Sequence, residues 1–494
     1  MIPNQKKVKG AVFSALCILA LFLISLLFSL SAKSQFLVDQ SFFTDSSVFR
    51  YVARVMQAGG TPYLDTFDHK GPFLYVLNAL ALWLSPDKGL WLVELISLFF
   101  FFLMSYRIAR LFCRKSTSVI ATLALLPALN QYFEGGNLTE SYALPFIAGA
   151  IYIFSDFFLN GNITRFRLFL CGACLGAVLL LRVNMIAVWV VMCIGVLVHC
   201  IVSREYKKIF FFLLYFFIGL LTFILPFIIW LASEGALRDF WKDYILFNFT
   251  YAADDQRANV YAKMDSFLYF LHTTFTAASF AIIGIAIFTK KTLLNILYFL
   301  SLLVTLLFIC ISGQTYGHYG IVIVPLLIIP AAYLGKACDK ARAENHLGTV
   351  FLSLILLVYT VLPTWSSLIT GGISLYQNRG SSDLAPDVSL ICDWIHENTS
   401  PDDPVLVCGN RNDIYNQSGR FAPTQYSYQS PICSINPEME AEFFRELEEN
   451  KPAAIFLPDD YFAREKMLEF ITRHNYIQSL PEQEVFGASF YLLP

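Results

Sequence analysis

Long apolar runs with their charges pushed to the ends recur through the first 370 residues of this chain. A lipid-embedded segment must satisfy its backbone hydrogen bonds internally, so such runs predict membrane helices. The first covers residues 11–30, close to the roughly 20 residues that a crossing needs. It follows "MIPNQKKVKG" and lacks a small-x-small cleavage site, so it reads as an uncleaved helix rather than a signal peptide. Further runs cover 90–106, 118–132, 141–158, 166–181, 185–201 and 209–231. Four more lie at 266–288, 293–311, 321–334 and 347–369. Together they predict a polytopic all-α membrane bundle of about 11 transmembrane helices. Composition agrees: 56% of the 494 residues are hydrophobic and only 15% charged, against about 25% charged in soluble domains.

Basic residues set the orientation. Lys6, Lys7 and Lys9 form one set with Arg107, Arg110, Arg114, Lys115, Arg165 and Arg167. Arg204, Lys207, Lys208, Lys290, Lys291, Lys336, Lys340 and Arg342 join them on one face, which the positive-inside rule makes cytoplasmic. The N-terminus is then inside and the C-terminus outside. Residues 34–88, 134–139, 233–265 and 314–318 share the outer face with the tail. A net charge of −2 carries no electrostatic footprint for nucleic acid. The 11 cysteines are scattered; Cys171 and Cys174 are one helical turn apart without a second pair or a His, which suits packing. No metal site, cofactor or disulfide framework is expected.

Beyond residue 370 the composition turns polar. "DVSLICDWIHENTS" and "YFAREKMLEFITRHN" read as helices, "PVLVCG" and "AAIFLP" as buried strands. That alternation predicts an extracytoplasmic α/β domain over 371–494, after a membrane domain over 1–370. Gly409 lacks the other glycines of a dinucleotide fingerprint, so no nucleotide site is inferred. Tyr415, Tyr426 and Tyr428 either contact an acceptor or belong to a plain folded cap.

The densest polar cluster outside that tail is "DSSVFRYVARVMQAGGTPYLDTFDHKGP", residues 45–72. Val48, Tyr51, Val52, Val55 and Met56 recur at helical spacing, which predicts an amphipathic helix lying in the membrane interface. Gly59, Gly60 and Pro62 end it. The following run, 72–84, is too short to cross and suits an interfacial or re-entrant helix. Asp45 is either the N-cap of the first helix or a general base for an acceptor hydroxyl. Asp65, Asp68, His69 and Lys70 put four ionisable groups in six residues, costly at an interface without partners. Lys70 either snorkels or holds a lipid phosphate as a point charge. Asp65 and Asp68 orient Lys70 and His69, contact sugar hydroxyls, or close turns.

Arg182 in "LLLRVNM" is the lone cation of an outer hairpin, paired with Glu140, with a phosphate, or snorkelling. Glu140 opens a helix, where it also suits the helix dipole. His318 in "GQTYGHYG" lies beside Tyr316 and Tyr319, a cluster that hydrogen-bonds sugars or phosphates or forms an aromatic belt. Glu94 is a fainter candidate, and the Asp254–Asp255 pair reads as solvated.

These stretches resemble the polytopic glycosyltransferases of the GT-C fold, in particular the family 39, protein-mannosyltransferase-like group of bacterial membrane proteins. That family carries an acidic motif, usually Asp-Glu, after its first helix, and a Lys-Pro-Pro motif further along the loop. Asp45-Ser46 stands at the first and Lys70-Gly71-Pro72 at the second, with "GGTPYLDTFDHKGP", "NLTESYALPF" and "YGHY" also similar. The resemblance implies that Asp45 is the catalytic base and that Lys70, with Arg182, holds the phosphate of a polyprenyl-phosphate sugar. Asp65, Asp68, His69, Glu140, His318 and Tyr319 are then candidates for substrate contacts. It further implies direct attack with inversion, an extracytoplasmic glycan, lipid or protein acceptor, and residence in a bacterial plasma membrane. Ser46 in place of the second acid makes a metal or shared base there less expected, and Gly71 in place of Pro loosens the backbone after Lys70. The rivals are a flippase for lipid-linked saccharides and a non-catalytic envelope assembly protein. A transporter places polar groups at mid-bilayer and breaks its helices, patterns not evident in these runs.

Overall fold

The computed structural model describes residues 3–40, 45–249, 259–290, 292–344, 347–383, 385–479 and 487–494. Asp254, Asp255 and Lys291 lie outside the described residues. The chain divides into two units. One comprises Met1–Gln35, Trp91–Ile228 and Phe249–Gln377; the other comprises Phe36–Leu90, Ile229–Asn248 and Asn378–Pro494.

The first unit is helical. Among the described residues, five helices are long and apolar enough to cross a membrane: Gly10–Ser29, Gly89–Ala109, Thr139–Asn160, Tyr206–Ser233 and Gly317–Ala343. A sixth span results if Val260–Leu271 and Thr274–Thr289, bent by 77°, count as one. Ala187–Val202 and Leu293–Ile309 are apolar but shorter. The run at 118–132 is two helices, Lys115–Leu123 and Leu126–Tyr132, because Pro127 enters at the start of the second, where its missing N–H costs least. The run at 266–288 breaks at Thr273, whose hydroxyl turns back to the Phe270 carbonyl at 2.9 Å and meets Thr276 at 2.8 Å. This break is of the kind that the sequence did not disclose. Elsewhere helices close tightly: the backbone of Phe216 occupies the space a side chain on Gly172 would need, and the backbone of Phe169 does the same at Gly219. Cys171, buried and unpaired beside this contact, accepts through its carbonyl from the Trp189 indole at 3.1 Å.

The second unit is α/β. Strand β1 (Asp39–Gln40) pairs in parallel with β2 (Ser382–Asp383). β3 (Val405–Val407), β4 (Ala454–Pro458), β5 (Ile477–Ser479) and β6 (Ala488–Leu492) form a sheet of order β3-β4-β6-β5. β3 and β4 are parallel, with Val405 opposite Ala454; β6 runs antiparallel to both β4 and β5. Helices Pro386–Asn398 and Arg464–Arg473 fall where the hydrophobic spacing predicts them.

Helix Asp45–Gln57 belongs to this unit's core. Its Tyr51 and Val55 pack with Val388, Ile391, Trp394, Ile414, Tyr415 and Phe490. The Tyr51 hydroxyl accepts from the Ala422 N–H at 2.9 Å, and the Asn416 amide donates to the Ser47 carbonyl at 2.8 Å. The amphipathic pattern is thus answered by protein rather than by a bilayer interface, and Ser46 to Phe49 are all buried. Gly59, at φ +97°, gives the left-handed turn that ends the helix. Pro72–Leu84 is a helix of the expected extent, with Pro72 in its first turn and Leu80, Trp83 and Leu84 exposed.

Candidate functional site

The polar cluster of the second unit is built around one strained turn. Asp65 closes it by accepting from the Thr61 N–H at 2.6 Å, while its own N–H donates to the Thr61 carbonyl at 2.9 Å. Tyr63 sits inside this turn at φ +72°, a left-handed conformation that is an outlier for so bulky a residue. Such strain persists only where the surroundings over-determine it. Here the buried ring lies 5.8 Å from that of Tyr75 and 5.5 Å from that of Phe240, and the hydroxyl donates to the Lys70 carbonyl at 2.6 Å. The backbone of Lys70 is therefore pinned, and its side chain is delivered to a defined place.

That place is beside Asp45. Lys70 Nζ stands 3.7 Å from Asp45 Oδ2, 2.8 Å from His69 Nε2 and 6.0 Å from the centre of the Phe49 ring. The lysine side chain is 9% exposed and the Asp45 side chain 40%. A cation so nearly buried requires an anion, and Asp45 offers it one face while keeping another toward solvent. With Nε2 accepting a hydrogen bond from the ammonium, the His69 proton belongs on Nδ1, which faces Asp68 Oδ1 at 3.4 Å and the Tyr428 hydroxyl at 3.5 Å.

Asp68 lies behind, buried, and accepts from the Tyr75 hydroxyl, the Tyr428 hydroxyl and the His69 N–H, each at 2.8 Å. Burial pushes its carboxyl above the ordinary range, while Lys70 and the two phenols pull it back. Asp45, Asp68, His69 and Lys70 thus converge. Asp65 stays exposed at the edge of the turn. Tyr415 and Tyr426 turn to internal partners instead: the Tyr415 hydroxyl accepts from the Val407 N–H and the Tyr426 hydroxyl donates to Glu442, each at 2.8 Å.

One acid here escaped the sequence reading. Asp243, in the wide helical turn Trp241–Leu246, is 4% exposed, and burial pushes its carboxyl up to about 7 with Asp239, Glu442 and Asp68 adding to the push and Lys242 opposing it. A lone Asp in "WKDYIL" carries no signal of burial. A folded-state value above the unfolded 3.8 means that stability from this group is full below 3.8 and lost as pH rises through about 7. Asp243→Asn has no such loss. It is expected to melt several degrees above the parent beyond pH 7 and level with it as pH approaches 3.8, by thermal unfolding across that range.

In the first unit a second group forms. Arg182 makes a salt bridge with Glu140, whose other oxygen accepts from the Thr139 hydroxyl at 2.7 Å. Its guanidinium lies 4.3 Å above the centre of the Tyr319 ring, and the His318 ring is edge-on to Tyr319 at 4.9 Å. His318 is bound twice by Glu134, through Nδ1 at 2.8 Å and through its N–H at 3.1 Å. That ring hydrogen bond holds the Glu134 carboxyl below the ordinary range. Four consecutive residues, Glu134 to Asn137, adopt positive φ, and Asn137 donates its N–H to the fully buried Glu94 at 2.6 Å. Glu134 and Asn137 were not singled out from the sequence; their partners lie too far along the chain to be read locally.

The family model of the competence-induced protein Ccs4 N-terminal domain matches residues 4–360, and the chain belongs to that family. No curated protein sequence matches it. Among solved structures it is similar to ArnT from Cupriavidus metallidurans bound to undecaprenyl phosphate, with a TM-score of 0.63 at 13% identity over 98% of both chains. The apo state of the same protein gives 0.59, again at 13% identity over 98% of both chains. The archaeal oligosaccharyltransferase AglB from Archaeoglobus fulgidus, in complex with an inhibitory peptide and a dolichol-phosphate, gives 0.53 at 12% identity, over 98% of this chain and 75% of that one. The shared architecture is the GT-C fold.

Proposed function

We propose that this member of the Ccs4 family is a membrane glycosyltransferase. It moves one sugar from a polyprenyl-phosphate donor to an extracytoplasmic glycan, lipid or protein acceptor. The observation that carries this reading is the meeting of half-exposed Asp45 with buried Lys70, on a loop pinned by Tyr63 and Asp68. Lys70 exchanges Asp45 for the donor phosphate. The released carboxylate takes the proton of the acceptor hydroxyl as its oxygen attacks the anomeric carbon. The new C–O bond forms on the face opposite the phosphate, the sugar–phosphate bond breaks, and polyprenyl phosphate leaves with the electron pair. Asp68 and His69 position Lys70, and Asp65 offers an exposed oxygen to sugar hydroxyls. In the first unit, Arg182 with Glu140, His318 and Tyr319 forms a further candidate group for substrate phosphate or hydroxyls. The GT-C fold of ArnT, bound to undecaprenyl phosphate, supports the donor class.

The same proposal includes about 11 crossings, an inside N-terminus, a membrane domain over 1–370 and an outer α/β domain over 371–494, in a bacterial plasma membrane. A second reading, passage of a lipid-linked saccharide, is favoured by the break between Val260–Leu271 and Thr274–Thr289.

The test uses purified full-length protein, radiolabelled polyprenyl-phosphate sugars and a crude envelope acceptor. Transfer is expected, and Lys70→Ala is expected to weaken donor retention roughly tenfold or more, the loss of one charge-assisted hydrogen bond. Lipid-linked sugar crossing proteoliposomes without transfer from any donor would overturn the enzyme in favour of the flippase.

A further inference from the structure

One cavity of the α/β part takes no share in the chemistry above. It has a volume of about 680 Å³ and opens at the C-terminal ends of the parallel strands β3 and β4. Its wall includes Asp387, Asn410, Arg411, Phe456, Asp460 and Tyr461. In open α/β sheets, ligands bind in the crevice beyond the carboxyl ends of parallel strands. The local sequence makes that crevice: Gly409, at φ +103°, turns the chain sharply away as it leaves β3. The volume falls within the range of small-molecule sites.

Close behind the wall lie polar atoms with no partner. Among the described residues, Asn410 Oδ1 and the Tyr461 hydroxyl are buried without a hydrogen bond, and so are both amide atoms of Asn412 immediately behind. Tyr461 is 6% exposed and Asn412 fully buried. Buried polar atoms are nearly always satisfied, so an occupant that draws the Asn410 amide or the Tyr461 hydroxyl toward the cavity supplies partners these atoms lack.

The charges narrow its nature. Arg411 is already held by Asp387 at 2.9 Å and by Asp413 at 3.0 Å, which neutralises it. Asp460 adds an exposed carboxylate to the lining. A wall with two acids and one committed cation repels phosphate and other anions. Planar carboxylate, amide and guanidinium groups match vicinal hydroxyls, and Phe456 and Tyr461 add apolar lining. We infer that this cavity is a binding site for a short neutral saccharide, separate from the Asp45–Lys70 group and independent of whether that group transfers sugar.

The experiment is ligand-observed saturation-transfer NMR on the full-length protein in detergent. The probes are maltose, lactose and N,N′-diacetylchitobiose, with glucose 6-phosphate and glucuronic acid as anionic controls. At least one neutral probe is expected to bind and the anionic ones are not. Tyr461→Phe and Asp460→Asn should each weaken that binding about tenfold, the scale of one hydrogen bond to a buried partner. Tyr461→Phe removes an unsatisfied hydroxyl, so it should melt no lower than the parent, and a loss of binding cannot then be assigned to unfolding. Preferential binding of an anionic probe, binding that both substitutions leave unchanged, or no binding of any probe at millimolar concentration would overturn the inference. None of these outcomes bears on sugar transfer, which is measured separately.

Discussion

Asp45→Asn is expected to slow sugar transfer by about 10²- to 10⁴-fold, the span that general bases contribute. The substitution separates the two roles this residue can play. Asp45 is the first residue of helix Asp45–Gln57 and its side chain is 40% exposed, so the isosteric Asn fits there and the protein should melt within a few degrees of the parent. What disappears is the carboxylate proposed to take the acceptor proton, which stands 3.7 Å from Lys70. Donor retention should persist, because Lys70 keeps its contact with His69 at 2.8 Å and its pinned backbone. Transfer assays on both proteins at matched donor occupancy decide the matter. Parental activity in Asp45→Asn would reduce the residue to a first-turn acid of its helix and remove the base from this loop.

The second large effect concerns Arg182 and Glu140. Their side chains are 16% and 3% exposed, so the pair has left water. Breaking a buried pair by removing one partner costs about 3–5 kcal/mol, because the survivor remains buried and uncompensated. Arg182→Met leaves the Glu140 carboxylate with the Thr139 hydroxyl, and a large fall in melting temperature is expected. Glu140→Gln is expected to fall as well, since the cation is then left above the Tyr319 ring without its anion. The double variant should recover most of the loss, because replacing both partners removes the uncompensated charge. Thermal unfolding of all four proteins in one detergent gives the coupling. A recovered double variant that still fails to retain donor would give Arg182 a phosphate role as well; additive losses would contradict the pairing.

The part of the site legible in the sequence was local. The cluster Asp65 to Lys70 announced itself through charge density next to an apolar run, and the helix at 72–84 through length and Pro72. Strands β3 and β4 and their flanking helices followed from hydrophobic periodicity, which depends on neighbours in the chain. Contacts between distant segments left no such trace. Tyr428 donating to Asp68, Asp243 buried beneath the turn, and Glu134 gripping His318 each depend on partners far away in sequence. The helix at 45–57 shows the same boundary: its apolar stripe was visible, but a stripe fits lipid and protein equally well. The turn at Tyr63 was hidden for another reason, since nothing in "GGTPYLD" singles out the bulky residue as the one that turns left-handed.

The shared core of Asp45–Gln57 with strands and helices beyond residue 385 bears on the order in which the protein matures. During synthesis the loop helix emerges early, yet Val388, Ile391, Ile414 and Phe490, against which Tyr51 and Val55 close, emerge more than 300 residues later. A contact of such long sequence separation forms late and slowly. Until then the apolar stripe of the loop helix has no protein partner, and Lys70 lacks the Tyr428 anchor that reaches it through Asp68. A chain stopped before its tail would therefore hold every residue of the Asp45–Lys70 pair without the framework that aligns them. Alignment of the loop is thereby tied to the arrival of segments more than 300 residues further along the chain, and removing those segments removes the alignment even though every residue of the loop is still present.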